Sequence, residues 1–267
     1  MIFDTNAWVG TWPFRHLTES DAGGLVSRMD RAGIDRAVVS SIEAIFHRNP
    51  HPANERLAND IAPYGDKLVG AATINPTYPA WEDDIRDAHE TLRFRAVRLF
   101  PQYHDYDIAG SLAKKVASVC AERGLIIIIP HRVEDVRQRQ WMDPGKEVSL
   151  GAIADLIVAV PEATVIVPNA RGIIDSPLWK REDLRERRWF VDTSLTEFLY
   201  GLHYSIDRAN PMWGFFEEGG ANHLLFGTHQ PFSYAASALV KLATLPVDDT
   251  AREKIAWRSA VEIFGTS

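Results

Sequence analysis

The chain has 267 residues, 46 % of them hydrophobic, and a formal net charge of −7. That is enough apolar side chain for one large core, and α/β barrels of this length are commonly a single domain. The acidic balance argues against a general nucleic-acid surface, and the longest purely apolar run, Leu125–Pro130, is far short of a membrane span.

Met1-Ile2-Phe3 runs directly into Asp4 with neither a basic start nor a long apolar stretch, so no signal peptide is expected. The one cysteine, Cys120, excludes a disulfide within the chain and suits a reducing cytoplasm, where it reads as a small core residue of a helix.

The predicted elements alternate. Ile2–Phe3 opens a strand, and Leu25–Ala32 has helical spacing and stops at Gly33. Arg36–Ser41 is a strand, Ala53–Ile61 a helix, and Leu68–Ile74 a strand ending at Asn75-Pro76. Pro79–Leu92 starts with proline and acidic residues, which suits a helix N-terminus. Phe94–Phe100 is a strand, Ser111–Arg123 a helix closed by Gly124, and Leu125–Ile129 an apolar run of the kind buried on both faces. Helix Leu150–Val160 leads to strand Thr164–Val167, then strand Trp189–Val191 and strand His223–Phe226. Helices Tyr234–Thr244 and Thr250–Phe264 close the chain.

Eight short apolar strands separated by helical segments predict one (β/α)8 TIM barrel over 1–267, its first strand at Ile2–Asp4 and its eighth at Leu224–Gly227. An open doubly wound sheet is the other arrangement, but the glycine-rich phosphate turn it usually carries is missing from the sequence. In a barrel the functional residues gather at the C-terminal strand ends. Those ends carry Asp4, Asn6 and Trp8, then Arg98, His131, Asn169, Asp192 with Ser194, and Thr228-His229-Gln230, a ring of polar groups facing one pocket.

Several stretches, "IFDTNAW", "MDRAGIDRAVVS", "FRAVRLFP", "GLIIIIPH", "VIVPNARG", "WFVDTS" and "LLFGTHQPF", taken in order resemble the amidohydrolase-related family, which includes metal-dependent hydrolases and carboxylate decarboxylases. The resemblance implies a (β/α)8 barrel and a catalytic divalent metal, commonly zinc. It places the metal ligands in Asp-x-His-x-His on the first strand, in His on the fifth and sixth, and in Asp on the eighth. In this sequence Asp4 stands, but Asn6, Trp8 and Asn169 occupy histidine positions and His229 occupies the aspartate position; His131 lies near the fifth-strand position. An indole N–H cannot ligate, and neutral amide oxygens are poor zinc ligands. The expectation is therefore no metal and no other cofactor. The alternative is a rearranged zinc or other divalent site in which His16, His104 or His203 joins His131 and His229.

His131 and His229 are the candidate general acids or bases. Arg15, Arg98 and Arg171 are candidate anion clamps, since a guanidinium binds carboxylate with two parallel N–H bonds; each has the alternative of pairing with an acid that holds a loop. Trp8, Asn6 and Asn169 complete the expected substrate-binding set. These residues point to an enzyme with hydrolase or lyase chemistry on a small carboxylate or lactone without the standard metal. Two other readings stay open: a non-catalytic ligand-binding barrel, and a metal-dependent hydrolase or decarboxylase with rearranged ligands. The expected partner is a small anionic molecule, with neither nucleic acid nor membrane, and the 8 tryptophans suggest a homodimer.

Overall fold

A computed structural model describes residues 1–194 and 211–265. Eight parallel strands follow one another around a single sheet in chain order: β1 (Phe3–Val9), β2 (Arg36–Ser41), β3 (Leu68–Ile74), β4 (Ala96–Leu99), β5 (Ile126–Ile128), β6 (Val165–Val167), β7 (Trp189–Asp192) and β8 (Leu224–Leu225). The ring closes between β8 and β1. The Thr5 N–H donates to the Phe226 carbonyl at 2.9 Å, the His229 N–H to Asn6 at 2.8 Å, and the Trp8 N–H to Gln230 at 2.8 Å. The predicted (β/α)8 barrel is the fold.

Helices alternate with the strands: α1 (Ala22–Ala32), α2 (His51–Ile61), α3 (Trp81–Glu90), α4 (Ser111–Glu122), α5 (Leu150–Ala159), α6 (Pro211–Glu217) and α7 (Ala235–Thr244), then a last helical segment over 249–264. Local chemistry sets several ends. The Asp21 side chain accepts from the Gly24 N–H at the start of α1, and Gly33 ends that helix at φ 67°, a conformation that costs glycine little. None of the described helices is long and apolar enough to cross a membrane.

Strand alternation sorts side chains into two cores. Outward residues such as Val39, Ala72, Val97, Ile127 and Val165 pack under the helices. Inward residues Phe3, Val38, Val69, Ala71, Ala96, Ile126, Ile128, Ile166 and Leu225 fill the barrel, and Ala260 and Phe264 of the last helix join them at its N-terminal end. A third cluster, which includes Trp8, Trp12, Phe100, Val133 and Phe232, lies over the C-terminal mouth. Core packing thus absorbs Trp8, Trp12, Trp81 and Trp189, whereas Trp141 is 86 % exposed.

Two strand boundaries differ from the sequence reading in ways that shape the mouth. Strand β1, expected to stop at Asp4, runs on to Val9 because β2 and the 226–230 segment both give it partners. Its register against β2 shifts between Asp4 and Ala7, so Phe3 faces inward before the shift and Asn6 and Trp8 after it. Strand β4 is shorter than Phe94–Phe100. Ala96 and Arg98 share the inward face, but Phe94 packs outside the barrel on Gly70, where an added Cβ would meet its ring at 2.1 Å.

Candidate functional site

Asn6, Arg98, Asn169, Asp192 and His229 come from β1, β4 and the ends of β6, β7 and β8, and every one is 0 % exposed. A fully buried polar side chain needs partners, and here they are one another. The two N–H groups of the Asn6 amide are shared among Asp192 Oδ2 at 2.8 Å, Ser194 Oγ at 3.0 Å and Asn169 Oδ1 at 3.2 Å. Its amide oxygen accepts from Arg98 Nη1 at 3.1 Å. The reverse orientation of that amide would set N–H groups against N–H groups, so the neighbours fix it. Ser194 Oγ also lies 2.6 Å from Asn169 Oδ1 and 2.5 Å from Asp192 Oδ2. Asn169 Nδ2 donates to the Arg132 carbonyl at 2.9 Å, and the Asn169 backbone N–H donates to Asp192 Oδ1 at 2.9 Å.

His229 is held from both sides. Its Nδ1 accepts from Trp8 Nε1 at 3.1 Å, and its Nε2–H donates to the Val133 carbonyl at 2.7 Å. Its ring stacks on Phe232, with centroids 4.8 Å apart. Burial, the largest cause, holds the imidazole neutral by pushing its pKa down to about 3, and Arg98, Arg15 and Arg132 push the same way. Asp4 accepts from the backbone N–H groups of Thr228 and Asn6, at 2.9 and 3.0 Å, and from the Thr228 hydroxyl. Burial nevertheless raises Asp4 to about 6 and raises Asp192 as well, against the hydrogen bonds each accepts. Burial lowers Arg98 to about 9, opposed by the charges of Asp192 and Asp4. The Arg98 guanidinium also lies 4.0 Å from the Trp8 ring centroid, a cation–π contact.

His131 occupies a different setting on the rim. Its Nδ1–H donates to the Val148 carbonyl at 2.7 Å, and its Nε2 lies 3.8 Å from Glu147. Glu147 also lies 3.8 Å from Arg132 and 3.8 Å from Arg171. Arg171 is half-exposed there. Arg15, the third candidate clamp, is already paired: its Nε bonds Glu134 at 2.5 Å and its Nη2 bonds the Phe232 carbonyl at 2.9 Å.

The sequence-predicted residues therefore divide. Asn6, Trp8, Arg98, Asn169 and His229 form one network, while His131 and Arg171 meet at Glu147 and Arg15 braces the loop that carries Glu134. Glu147 and Glu134 were missed by the sequence reading, because both lie in the irregular stretch between β5 and α5, where periodicity gives no signal. Gly227, expected only to end the eighth strand, has a further role. A Cβ there would meet Asp192 Oδ2 at 2.4 Å, so glycine is what lets the carboxylate approach the backbone.

A divalent ion needs several lone pairs aimed at one point. Trp8 presents an N–H, the Asn6 oxygen faces a guanidinium, and both His229 nitrogens are engaged. Among the described residues, no three His, Cys, Asp or Glu side chains are gathered as a metal site. Of the alternative ligands, His104 bonds the Ile45 carbonyl at 3.1 Å, His16 is exposed, and His203 lies outside the described residues. Bonded in this way, these side chains do not fit a divalent ion.

Comparison with solved structures finds the same fold in 5-carboxyvanillate decarboxylase from Sphingomonas paucimobilis, at 16 % identity and TM-score 0.73 over 98 % of each chain. The 2,6-dihydroxybenzoate decarboxylase from Rhizobium gives 16 % identity and TM-score 0.71 over 98 % of this chain and 97 % of that one. Dihydroxybenzoic acid decarboxylase from Polaromonas sp. JS666, with bound manganese and 2-nitroresorcinol, gives 15 % identity and TM-score 0.70 over 98 % and 96 %. A search of curated proteins finds no matching sequence. The amidohydrolase family model matches residues 15–266, nearly the whole chain, and the protein belongs to that family.

Proposed function

We propose that this protein takes a small carboxylate, preferably one on a planar ring, at the C-terminal mouth of its barrel, and handles it without the divalent ion of metal-dependent members. The carrying observation is the buried network, in which Asn6, Trp8, Asn169 and His229 bond one another and Arg98 instead of leaving lone pairs for an ion. A carboxylate is preferred to a lactone because the similar structures named above are decarboxylases of aromatic acids. Trp8, Phe100, Phe232 and Tyr103 lie in or against the mouth cluster, and their faces suit an aromatic ring.

In this reading His131 supplies the proton-transfer group. Its Nδ1 is fixed on a carbonyl and its Nε2 is turned to Glu147, whereas His229 holds the mouth together. A second reading, metal-dependent decarboxylation with rearranged ligands, is favoured by the manganese in the Polaromonas structure. Elemental analysis of protein purified without chelators separates the two. Substoichiometric metal, with a melting temperature unmoved by EDTA and raised by benzoate or 2-hydroxybenzoate, is the expected result. Near-stoichiometric metal lost together with His131→Ala would establish the second reading instead.

A further inference from the structure

The mouth holds two buried carboxylates, Asp4 and Asp192, both 0 % exposed. Two such anions need a cation nearby. Arg98 is the buried guanidinium whose charge acts on both. It reaches Asp192 through one side chain, since the Asn6 amide accepts from Arg98 Nη1 and donates to Asp192 Oδ2. Asn6 is thus a polar spacer between cation and anion. Lys241 is the other nearby cation, but its ammonium donates to the Thr193 carbonyl and acts on Asp192 from outside that bridge.

Arg98 keeps unsatisfied capacity. Nη1 has its partner, yet Nε and Nη2, both buried, have no hydrogen-bond partner among the described residues. Thr73 pairs with Arg98 in the register of β3 against β4, so both side chains face the barrel interior, and the Thr73 hydroxyl is buried and unpartnered too. Leaving such groups unbonded costs stability, most for a charged one. Adjacent Nε–H and Nη2–H form one edge of the guanidinium, the edge that receives the two oxygens of a carboxylate. The Trp8 ring covers the face of the same group.

We infer that the Arg98 guanidinium is the resident cation of this mouth: it balances Asp192 through Asn6, and its Nε and Nη2 edge receives the carboxylate of the ligand. The second half rests on the carboxylate-binding reading above; the first half does not. In this arrangement a positive charge built into the chain takes over the charge-balancing role that an ion fills in metal-dependent members. It differs from an ion in being fixed to β4 and in offering directed donors in place of open coordination positions.

The test has two independent arms. In the first, benzoate is titrated calorimetrically into wild type, Arg98→Met and Arg98→Lys. The expected loss in Arg98→Met is about ten- to a hundredfold in affinity, the equivalent of a charge-assisted hydrogen bond, with Arg98→Lys, which keeps the charge but not the fork, in between. Equal affinity in all three proteins would overturn the anchoring half. In the second arm, urea unfolding is measured without ligand for wild type, Arg98→Met, Asp192→Asn and the double variant. The double variant should lose clearly less stability than the two single losses added together. Additive losses would overturn the balancing half. Should Arg98→Met fail to fold, Arg98→Gln with Asp192→Asn carries the same cycle, because glutamine removes the charge while keeping a polar side chain and asparagine removes the charge of its partner. Wild type that ignores benzoate while the cycle shows coupling would overturn the carboxylate reading and leave the resident cation standing.

Discussion

His229 and His131 each sit just beyond a core strand at the same end of the barrel, and the fold puts them to different uses. His229 is 0 % exposed, and its two nitrogens are bonded to Trp8 and the Val133 carbonyl. His131 is 6 % exposed, bonds the Val148 carbonyl through Nδ1, and turns Nε2 toward a carboxylate that Arg132 and Arg171 share. The side chains of the buried network around His229 bond one another, the Nε–Nη2 edge of Arg98 excepted; the rim cluster around His131 is held by contacts at 3.8 Å, partly in solvent. A histidine at a strand tip is therefore not a functional assignment in itself. The partners of each ring nitrogen decide whether the ring can exchange a proton.

The contrast breaks first at the hub of the network. Asn6→Leu keeps the approximate volume and removes the amide that joins Arg98 to Asp192. The charges then lose their spacer while still buried, and unfolding free energy should drop by about 3–5 kcal/mol. A loss under ~1 kcal/mol in urea unfolding would show that the network relaxes without it.

Acid tests the buried histidine next. His229 is held at about 3 in the folded state, below the ordinary 6.5. The folded state thus binds fewer protons than the unfolded one between those values. The resulting stability is present above pH 6.5 and is lost as pH falls toward 3. Asp4, raised to about 6 from 3.8, works in the opposite sense: its contribution is present at low pH and is lost as pH rises from about 4 to 6. The difference between wild type and His229→Gln isolates the histidine. That difference should shrink by ~2–3 kcal/mol from pH 7 to pH 4.5, and a constant difference would mean that the ring protonates inside the fold. Gly227→Ala should cost somewhat less, about 1–3 kcal/mol from overpacking, since the new methyl would meet Asp192.

The barrel was legible because parallel strands covered on both faces write themselves as short apolar runs, such as Leu125–Ile129, set between helical patterns. The inward aim of Arg98 was expected from a shared face of Phe94, Ala96, Arg98 and Phe100; Ala96 does face inward, but Phe94 packs outside the barrel. The extent of β1 was not legible, because Asn6 and Trp8 face a polar interior and the register shift breaks the two-residue period. Nor were the partners of the arginines. Arg15 meets Glu134 across 119 residues of chain, and Glu147 gathers His131 and two arginines from a loop without a motif. Contacts of that kind depend on where closed loops return, and local pattern does not encode it.

The smallest effect belongs to the rim. Arg171 and Arg98 were alike in the sequence, each an arginine at a strand end, yet Arg171 is 50 % exposed with a Glu147 contact at 3.8 Å, and Arg98 is 0 % exposed inside the barrel. An ion pair at that distance in solvent gains little from Coulomb attraction, loses side-chain entropy, and is screened by salt within a Debye length of roughly 8 Å at physiological ionic strength. Arg171→Met should therefore leave unfolding free energy within about 0.5 kcal/mol of wild type. Its effect on benzoate binding should fade as salt rises, because a rim cation acts on an arriving anion mainly through the screened field. Arg98→Met should keep more of its effect at high salt, since Arg98 is buried and acts on the bound carboxylate at contact, where screening is weak. Measuring both variants at low and high sodium chloride decides the matter: parallel salt dependence in the two would show that Arg98 also acts from solvent, and that the buried and rim clusters are one electrostatic site.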